Sequence, residues 1–363
     1  MIKILHVGLS SNAGGIENVV HSWAVYLPDD IHFDFVNVEN KPLAFEEDFK
    51  KQGSQIYKIP SRRHDPAGSY KALQEIVRDG QYDYVHFHAM SLSWPEPVLA
   101  ASAAPGTQAI VHSHMVVDKN MSRKYRMLHK IGAARLAGKD FYCLACGTDA
   151  GRTMFGKREF TVIENGIDLK THGFNAEDRD RIRKELGITP EQKLIGHVGR
   201  SGAQKNYPFL IDSFARLHKQ HPETRLLLLG NVDKDPEVQG HIRRHKLENA
   251  VYCPGYVSST SPYYSAMDVF FFPSIYEGLS VALIEAQAAG LPCVVSTNIA
   301  EETVISSRVT FVPLNRPLKA VRYLETALLA QREDACIAPQ YDISNSSAKL
   351  FKFYRSHLNE ETE

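Results

Sequence analysis

The sequence predicts an α/β protein built from two doubly wound, Rossmann-like domains facing each other across an interdomain cleft. Three observations carry this prediction. Short, continuously apolar runs alternate with amphipathic stretches along most of the chain, the pattern of parallel sheets covered on both faces. The alternation pauses at Glu164-Asn165-Gly166-Ile167-Asp168, where Asn-Gly signals a turn, and then begins again. A length of 363 residues is too great for one ordinary core.

In order, Ile2–Gly8 reads as a strand, Gly15–Leu27 as a helix, Ile31–Val38 as a strand, Ala44–Gln52 as a helix and Gln55–Ile59 as a strand. Helix Ser69–Arg78 and strands Tyr82–His88, Gln108–His112 and Phe141–Cys146 follow. After the hinge, the polar segment Asn175–Glu185 opens a new unit. Strand Lys193–Val198, helix Tyr207–Lys219, strand Arg225–Leu229 and helix Pro236–Lys246 come next. Strand Val269–Phe272, helix Ser280–Ala289 and strand Cys293–Ser296 complete the pattern, and Ser344–Leu358 is a closing helix. In open α/β sheets ligands sit beyond the carboxyl ends of the strands, so the chemistry belongs there.

The bulk composition excludes several classes. Lys+Arg and Asp+Glu both number 42, a neutral balance unlike the basic excess of dedicated nucleic-acid binders. Five cysteines (Cys143, Cys146, Cys253, Cys293 and Cys336) are too sparse for a disulfide framework and read as reduced thiols of a cytosolic protein. Cys143 and Cys146 have redox-motif spacing, but residues three apart on a strand point to opposite faces. No signal peptide is read at Met1–Gly8, and no run reaches the 18 or so apolar residues of a membrane span.

Five segments carry candidate chemistry. In Phe272–Glu285 a strand ends, a loop holding Gly278 follows and a helix begins, a junction whose free N–H groups and dipole favour phosphate. Glu277 and Glu285 are eight positions apart, about 12 Å along a helix axis and near one face. They would bracket something long with an anionic middle, the shape of a nucleotide-sugar. A retaining glycosidase needs its carboxyls about 5–5.5 Å apart, closer than this pair should lie. Against this stands a plain alternative, an acidic first-turn Glu277 and a solvated Glu285. The apolar surroundings of Glu285 argue for a buried carboxylate that needs partners.

Gly199–Asn206 places Arg200 and Lys205 at a glycine-containing strand end, suited to a diphosphate; alone, these could be two exposed loop cations. Gly14-Gly15-Ile16-Glu17 is a glycine loop opening a helix, without the dinucleotide fingerprint, and Gly15 is a candidate ligand-approach position. His86, His88, His112 and His114 form two i, i+2 pairs at carboxyl ends of strands. They could bind zinc, hydrogen-bond structurally, or hold a sugar hydroxyl. Finally, Ser122–Lys139 carries Arg123, Lys124, Arg126, Lys130, Arg135 and Lys139 with no acid, interleaved with Tyr125, Met127, Leu128, Ile131 and Leu136. It reads either as a cationic amphipathic helix for an anionic membrane surface or partner, or as a solvated face.

These residues together resemble family 4 of the retaining glycosyltransferases, which have the GT-B fold. The resemblance runs from Gly199-Arg200…Lys205-Asn206 through Gly255-Tyr256-Val257 and Asp268 to Glu277/Glu285 and Gly290-Leu291-Pro292, with the hinge Asn165–Asp168. Ala145-Cys146…Ala150-Gly151…Met154-Phe155-Gly156 and His112-Ser113-His114 look like bacterial exopolysaccharide and capsule enzymes. The resemblance implies that Arg200 and Lys205 hold a donor diphosphate, that Glu277 contacts the donor sugar and that Glu285 contacts the ribose. Gly278, Leu279 and Ser280 would offer backbone N–H groups, where the family often has Gly-Phe-Gly. His112 or His114 would lie near the transferred sugar. Residues 1–166 would bind the acceptor, 167–343 the nucleotide-sugar, and 344–363 would close the fold.

The expected function is retaining transfer of a hexose from a UDP-sugar to a lipid-linked saccharide at the inner face of the cell membrane. No metal or other cofactor and no nucleic acid is expected. Two alternatives stand beside it: a GT-B enzyme with a soluble acceptor, of sucrose-synthase, trehalose-synthase or phosphorylase type, and a non-catalytic partner subunit.

Overall fold

The computed structural model describes residues 1–117, 122–169, 171–257, 259–332 and 338–358. Cys336 lies outside them. The chain divides into two compact units: Met1–Gly166 with Ile343–Glu363, and Ile167–Asp342. Both are parallel α/β sheets, as the continuous apolar runs predict.

The first unit holds strands β1 (Ile2–Val7), β2 (Ile31–Asn37), β3 (Ile56–Lys58), β4 (Tyr84–Ala89), β5 (Gln108–Ser113), β6 (Tyr142–Ala145) and β7 (Thr161–Val162). Their spatial order is β3-β2-β1-β4-β5-β6-β7. The order reverses between β1 and β4, where Ile4 stands beside Tyr84 and His6 beside His86. The second unit holds β8 (Lys193–Val198), β9 (Thr224–Leu229), β10 (Val251–Gly255), β11 (Val269–Phe272), β12 (Cys293–Ser296) and β13 (Val309–Val312), ordered β10-β9-β8-β11-β12-β13. Its reversal falls between β8 and β11, where Ile195 pairs with Val269. Such a reversal opens a crevice at the carboxyl ends. The loops that flank it here are 199–206 and 273–280.

One face of the second sheet packs Ile195, Phe271 and Val294 against Leu210, Phe214 and Leu324 of the covering helices. The other packs Leu194, Phe270 and Phe272 against Leu283 and Ala286. The closing helix, Ile343–Ser356, joins the first unit. Its buried Tyr354 bonds His86, and the Tyr354 carbonyl accepts from Tyr84.

The apolar-run reading passed over β7, β10, β13 and the helices Glu96–Ser102, Thr148–Phe155, Ser261–Ala266 and Pro317–Leu329. β10 and β13 are edge strands with half-exposed residues, which dilutes the apolar signal. Cys143 and Cys146 are both buried, and burial pushes the Cys143 thiol up to about 11. That is opposite to what a reactive thiol needs.

Candidate functional site

Beyond β8 and β11 the two loops are stitched together. Ile275 N donates to the Gln204 carbonyl at 2.8 Å, Gln204 Nε2 to the Tyr276 carbonyl at 2.9 Å, and Asn206 Nδ2 to the Pro273 carbonyl at 3.2 Å. Asn298, after β12, donates to the Ile275 carbonyl at 2.8 Å. Asn206 adopts a left-handed conformation (φ 56°), one that asparagine tolerates better than most residues. Gly230 has φ +128°, and a Cβ there would stand 2.1 Å from the Gly199 carbonyl oxygen. Only glycine lets the loop after β9 approach this closely.

The stitching brings Lys205 to Glu277, with Nζ to Oε1 at 2.8 Å. Both side chains are largely buried, 17% and 10% exposed, and the ammonium lies 4.5 Å from the centre of the Phe272 ring. A partly desolvated cation is thus held at the crevice, already matched to a carboxylate. Arg200 is exposed, and no carboxylate among the described residues pairs with it. Ser280 caps the helix Val281–Ala288, its hydroxyl accepting from Leu283 N. The backbone N–H groups of Gly278, Leu279, Ser280, Val281 and Ala282 have no acceptor among the described residues. This junction can receive an anion.

Glu277 and Glu285 do not share one continuous helix. The helix begins at Val281, so Glu277 precedes it and Glu285 is its fifth residue. A continuous helical advance between the two therefore does not apply. Glu285 is buried, as its apolar neighbours suggested, but protein groups already serve it. Tyr264 donates to Oε2 at 2.9 Å, Thr260 Oγ1 stands at 3.5 Å, and His172 Nε2 lies 3.4 Å from Oε1. Burial works to lower the His172 pKa, but its hydrogen bond to Glu285 and that carboxylate's charge leave it raised on balance. Tyr264, held among apolar neighbours beside the same carboxylate, stays a neutral donor. A carboxylate offers about four lone pairs, so Glu285 keeps capacity for a further donor.

In the first unit, Gly15 opens the helix Gly15–Val25, and Gly14 before it is extended. The glycine under steric constraint is Gly8 (φ +108°), where a Cβ would stand 2.5 Å from the His88 carbonyl oxygen. Glu17 is buried, and its Oε1 accepts from Ser10 N at 3.0 Å and Ser10 Oγ at 2.8 Å.

The histidines form a larger cluster than the sequence suggested, because His6 of β1 joins them. His6 Nδ1 bonds His88 Nε2 at 2.9 Å, and His88 Nδ1 bonds His114 Nε2 at 3.0 Å. Alongside, the Tyr354 hydroxyl bonds His86 Nδ1 at 2.6 Å and His86 Nε2 bonds His112 Nδ1 at 3.1 Å. The rings of His6 and His88 are 8° from parallel with centroids 5.2 Å apart, which with the short N···N distance places them edge to edge in nearly one plane. Across the two chains, His86 faces His88 at 4.5 Å and His112 faces His114 at 4.2 Å. The result is two hydrogen-bonded imidazole chains stacked face to face, with Trp23 against them. Neutral imidazole carries one donor and one acceptor, so each chain closes without charge.

Burial is the main cause that drives all five pKa values down, to about 3 for His6 and His114. The neighbouring rings' charge adds to the fall for His86, His88 and His112. Neutral imidazole is the metal-binding form, and two triads, His6/His86/His88 and His88/His112/His114, lie close enough to share an ion. Their facing nitrogens, however, are already spent on one another. His112 Nε2 and His114 Nδ1 point away from both chains at the end of β5; the backbone of Ile163 faces His112 and the Asn165 side chain faces His114, each acting against the fall in pKa.

The helix Arg123–Arg135 is docked through Gly132, where a Cβ would stand 1.6 Å from the Leu92 carbonyl oxygen. Its outer face exposes Met127, Leu128 and Ile131 beside Arg123, Lys124, Lys130 and Arg135. Arg135 pairs with Glu96 at 2.6 Å. No helix of the described residues is long and apolar enough to cross a membrane.

Sequence signals for some of these partners existed. His6 shares the period-two face of β1, and its alignment with His86 follows from ordinary strand pairing. Nothing in local spacing connects His172 or Tyr264 to Glu285.

Residues 178–337 match the family described as glycosyl transferases group 1. The chain is 31% identical over 312 residues to EpsF of Bacillus subtilis (strain 168), a candidate glycosyltransferase, covering 83% of this chain and 80% of that one. It is 24% identical over 311 residues to the Escherichia coli UDP-Gal:alpha-D-GlcNAc-diphosphoundecaprenol alpha-1,3-galactosyltransferase, covering 81% and 79%. Among solved structures, Anabaena Alr3699/HepE in complex with UDP and glucose superposes with a TM-score of 0.79 at 18% identity, covering 98% of this chain and 100% of that one. That likeness supports the fold, two parallel-sheet Rossmann-like domains of the GT-B type. From the extent of the EpsF match and the group 1 match over the second unit, the chain belongs to the group 1 glycosyl transferases.

Proposed function

We propose that the chain is a family 4 retaining glycosyltransferase that moves a hexose from a UDP-sugar to a lipid-linked saccharide of exopolysaccharide or capsule synthesis. The observation that carries this is the Lys205–Glu277 pair beside the open amides of residues 278–282, at the switch point of the second sheet. In this reading Lys205, Arg200 and the helix-start amides of Gly278, Leu279 and Ser280 take the diphosphate. Glu277, released from Lys205 as phosphate arrives, accepts from sugar hydroxyls. Glu285, oriented by Tyr264 and His172, takes the ribose. His112 or His114, kept neutral by burial, meets the transferred sugar or the acceptor; Gly15 lines the approach.

In the proposed step, the bond from the anomeric carbon to the diphosphate oxygen breaks and one to the acceptor hydroxyl oxygen forms on the same face. The acceptor proton passes to the leaving phosphate. The protein's part is to stabilise the charge growing on that phosphate. None of these roles calls for a metal ion.

The acceptor reading draws on the diphosphoundecaprenol acceptor in the Escherichia coli relative's name and on the exposed apolar stripe Met127/Leu128/Ile131 ringed by cations. That stripe suits an anionic membrane surface. The test incubates the protein with a panel of sugar nucleotides, with anionic liposomes present or absent. Unchanged transfer or donor hydrolysis in both Lys205→Ala and Glu277→Ala would remove the site assignment. Transfer to soluble sugars with no liposome binding would favour a soluble acceptor instead.

A further inference from the structure

Away from the donor crevice, the second unit brings together Asp212, His241 and His245. Asp212 lies on the helix Tyr207–Gln220, and the two histidines, four apart, lie at the end of the neighbouring helix Pro236–Arg244. Residues at i and i+4 share one helical face. His245 Nε2 stands 2.7 Å from Asp212 Oδ1, and His241 Nδ1 stands 3.6 Å from the same oxygen. One ligand atom from each of the three residues falls within 4.8 Å of the others. In tetrahedral zinc sites, ligand atoms about 2.0–2.1 Å from the ion stand roughly 3.3 Å from one another. The observed separations bracket that value.

We propose that Asp212, His241 and His245 form a site for a borderline divalent cation of the zinc type. A simpler reading is a hydrogen-bonded His245–Asp212 pair joining two helices. That reading leaves His241 unexplained, because its Nδ1 is buried and has no hydrogen-bond partner. A buried imidazole nitrogen left unpaired is costly, and a cation held with Asp212 supplies its partner. Two imidazoles and one carboxylate are a donor set for zinc, nickel or copper rather than for magnesium or calcium, which prefer all-oxygen shells. The two helices start where the loops after β8 and β9 end, so the ion would brace the scaffold that carries Arg200 and Lys205. Its role is structural, apart from the transfer chemistry.

The buried histidine triads meet the same distance criterion, and the experiment must separate them. Untagged, EDTA-stripped full-length protein is titrated with ZnCl2 by calorimetry and melted with and without Zn2+. The proposal expects one equivalent bound and a raised Tm. Asp212→Asn should weaken binding about tenfold or more, and His241→Asn/His245→Asn should abolish it. MgCl2 should give no heat. Circular dichroism of each variant separates lost ligands from a lost fold. Full Zn2+ binding by the correctly folded double variant, or none by the wild type, overturns the proposal.

Discussion

Replacing Lys205 by methionine keeps the stem over Phe272 and removes only the charge. That charge is matched to Glu277 at 2.8 Å, with the carboxylate only 10% exposed. If Lys205 holds a diphosphate, its loss removes a charge-assisted hydrogen bond of about 1.5–3 kcal/mol. It also strands the Glu277 carboxylate near the incoming anion; two unit charges 4 Å apart at an effective dielectric of 20 repel by about 4 kcal/mol before either relaxes. A net loss of about 2–4 kcal/mol corresponds to roughly 30- to 1000-fold weaker binding. The assay is calorimetric titration with UDP, which lacks the transferred hexose, so the difference between wild type and variant reports the diphosphate contact. Glu277→Gln should leave UDP binding unchanged or tighter, while turnover of the sugar nucleotide falls. The double variant should bind UDP better than Lys205→Met alone, with a coupling above about 1 kcal/mol. Lys205→Met binding UDP within threefold of the wild type would refute the reasoning.

Acid should unfold the first unit steeply. The five buried histidines have lowered pKa values in the folded state, so below about 6.5 the unfolded chain binds more protons than the folded one. Stability is therefore fully present above that pH and falls as pH drops towards 3, with a limiting slope of up to about 7 kcal/mol per pH unit for five groups. Chemical denaturation at stepped pH checks this, and a flat profile from pH 7 to 5 contradicts it. Gly132→Ala separates helix propensity from packing. Propensity alone predicts a gain of up to about 1 kcal/mol, whereas a Cβ 1.6 Å from the Leu92 carbonyl oxygen predicts a loss of about 1–3 kcal/mol, read as a lower Tm.

The sequence was most legible in the central strands, where burial is nearly continuous. Strands Lys193–Val198, Val269–Phe272 and Cys293–Ser296 were read to the residue, because each is a short apolar run in the middle of a sheet. Edge strands such as Val251–Gly255 were lost because half-exposed residues break the run. In the site, the strand-end loops and the buried character of Glu285 were visible in local spacing. The Lys205–Glu277 pair and the Tyr264 and His172 contacts to Glu285 were not, since each joins segments far apart in the chain. The same holds for His6, whose place in the imidazole chains depends on β1 lying between β2 and β4.

The central claim is that the second unit positions a sugar nucleotide for transfer with its anomeric configuration kept. The most direct measurement follows, by time-resolved proton NMR, the protein's turnover of UDP-hexoses with an undecaprenyl-diphosphate-linked saccharide. The account predicts release of UDP and a new glycosidic proton whose coupling matches the donor's α or β configuration. An inverted coupling would contradict retention, and no nucleotide released from any sugar nucleotide would contradict the donor site itself.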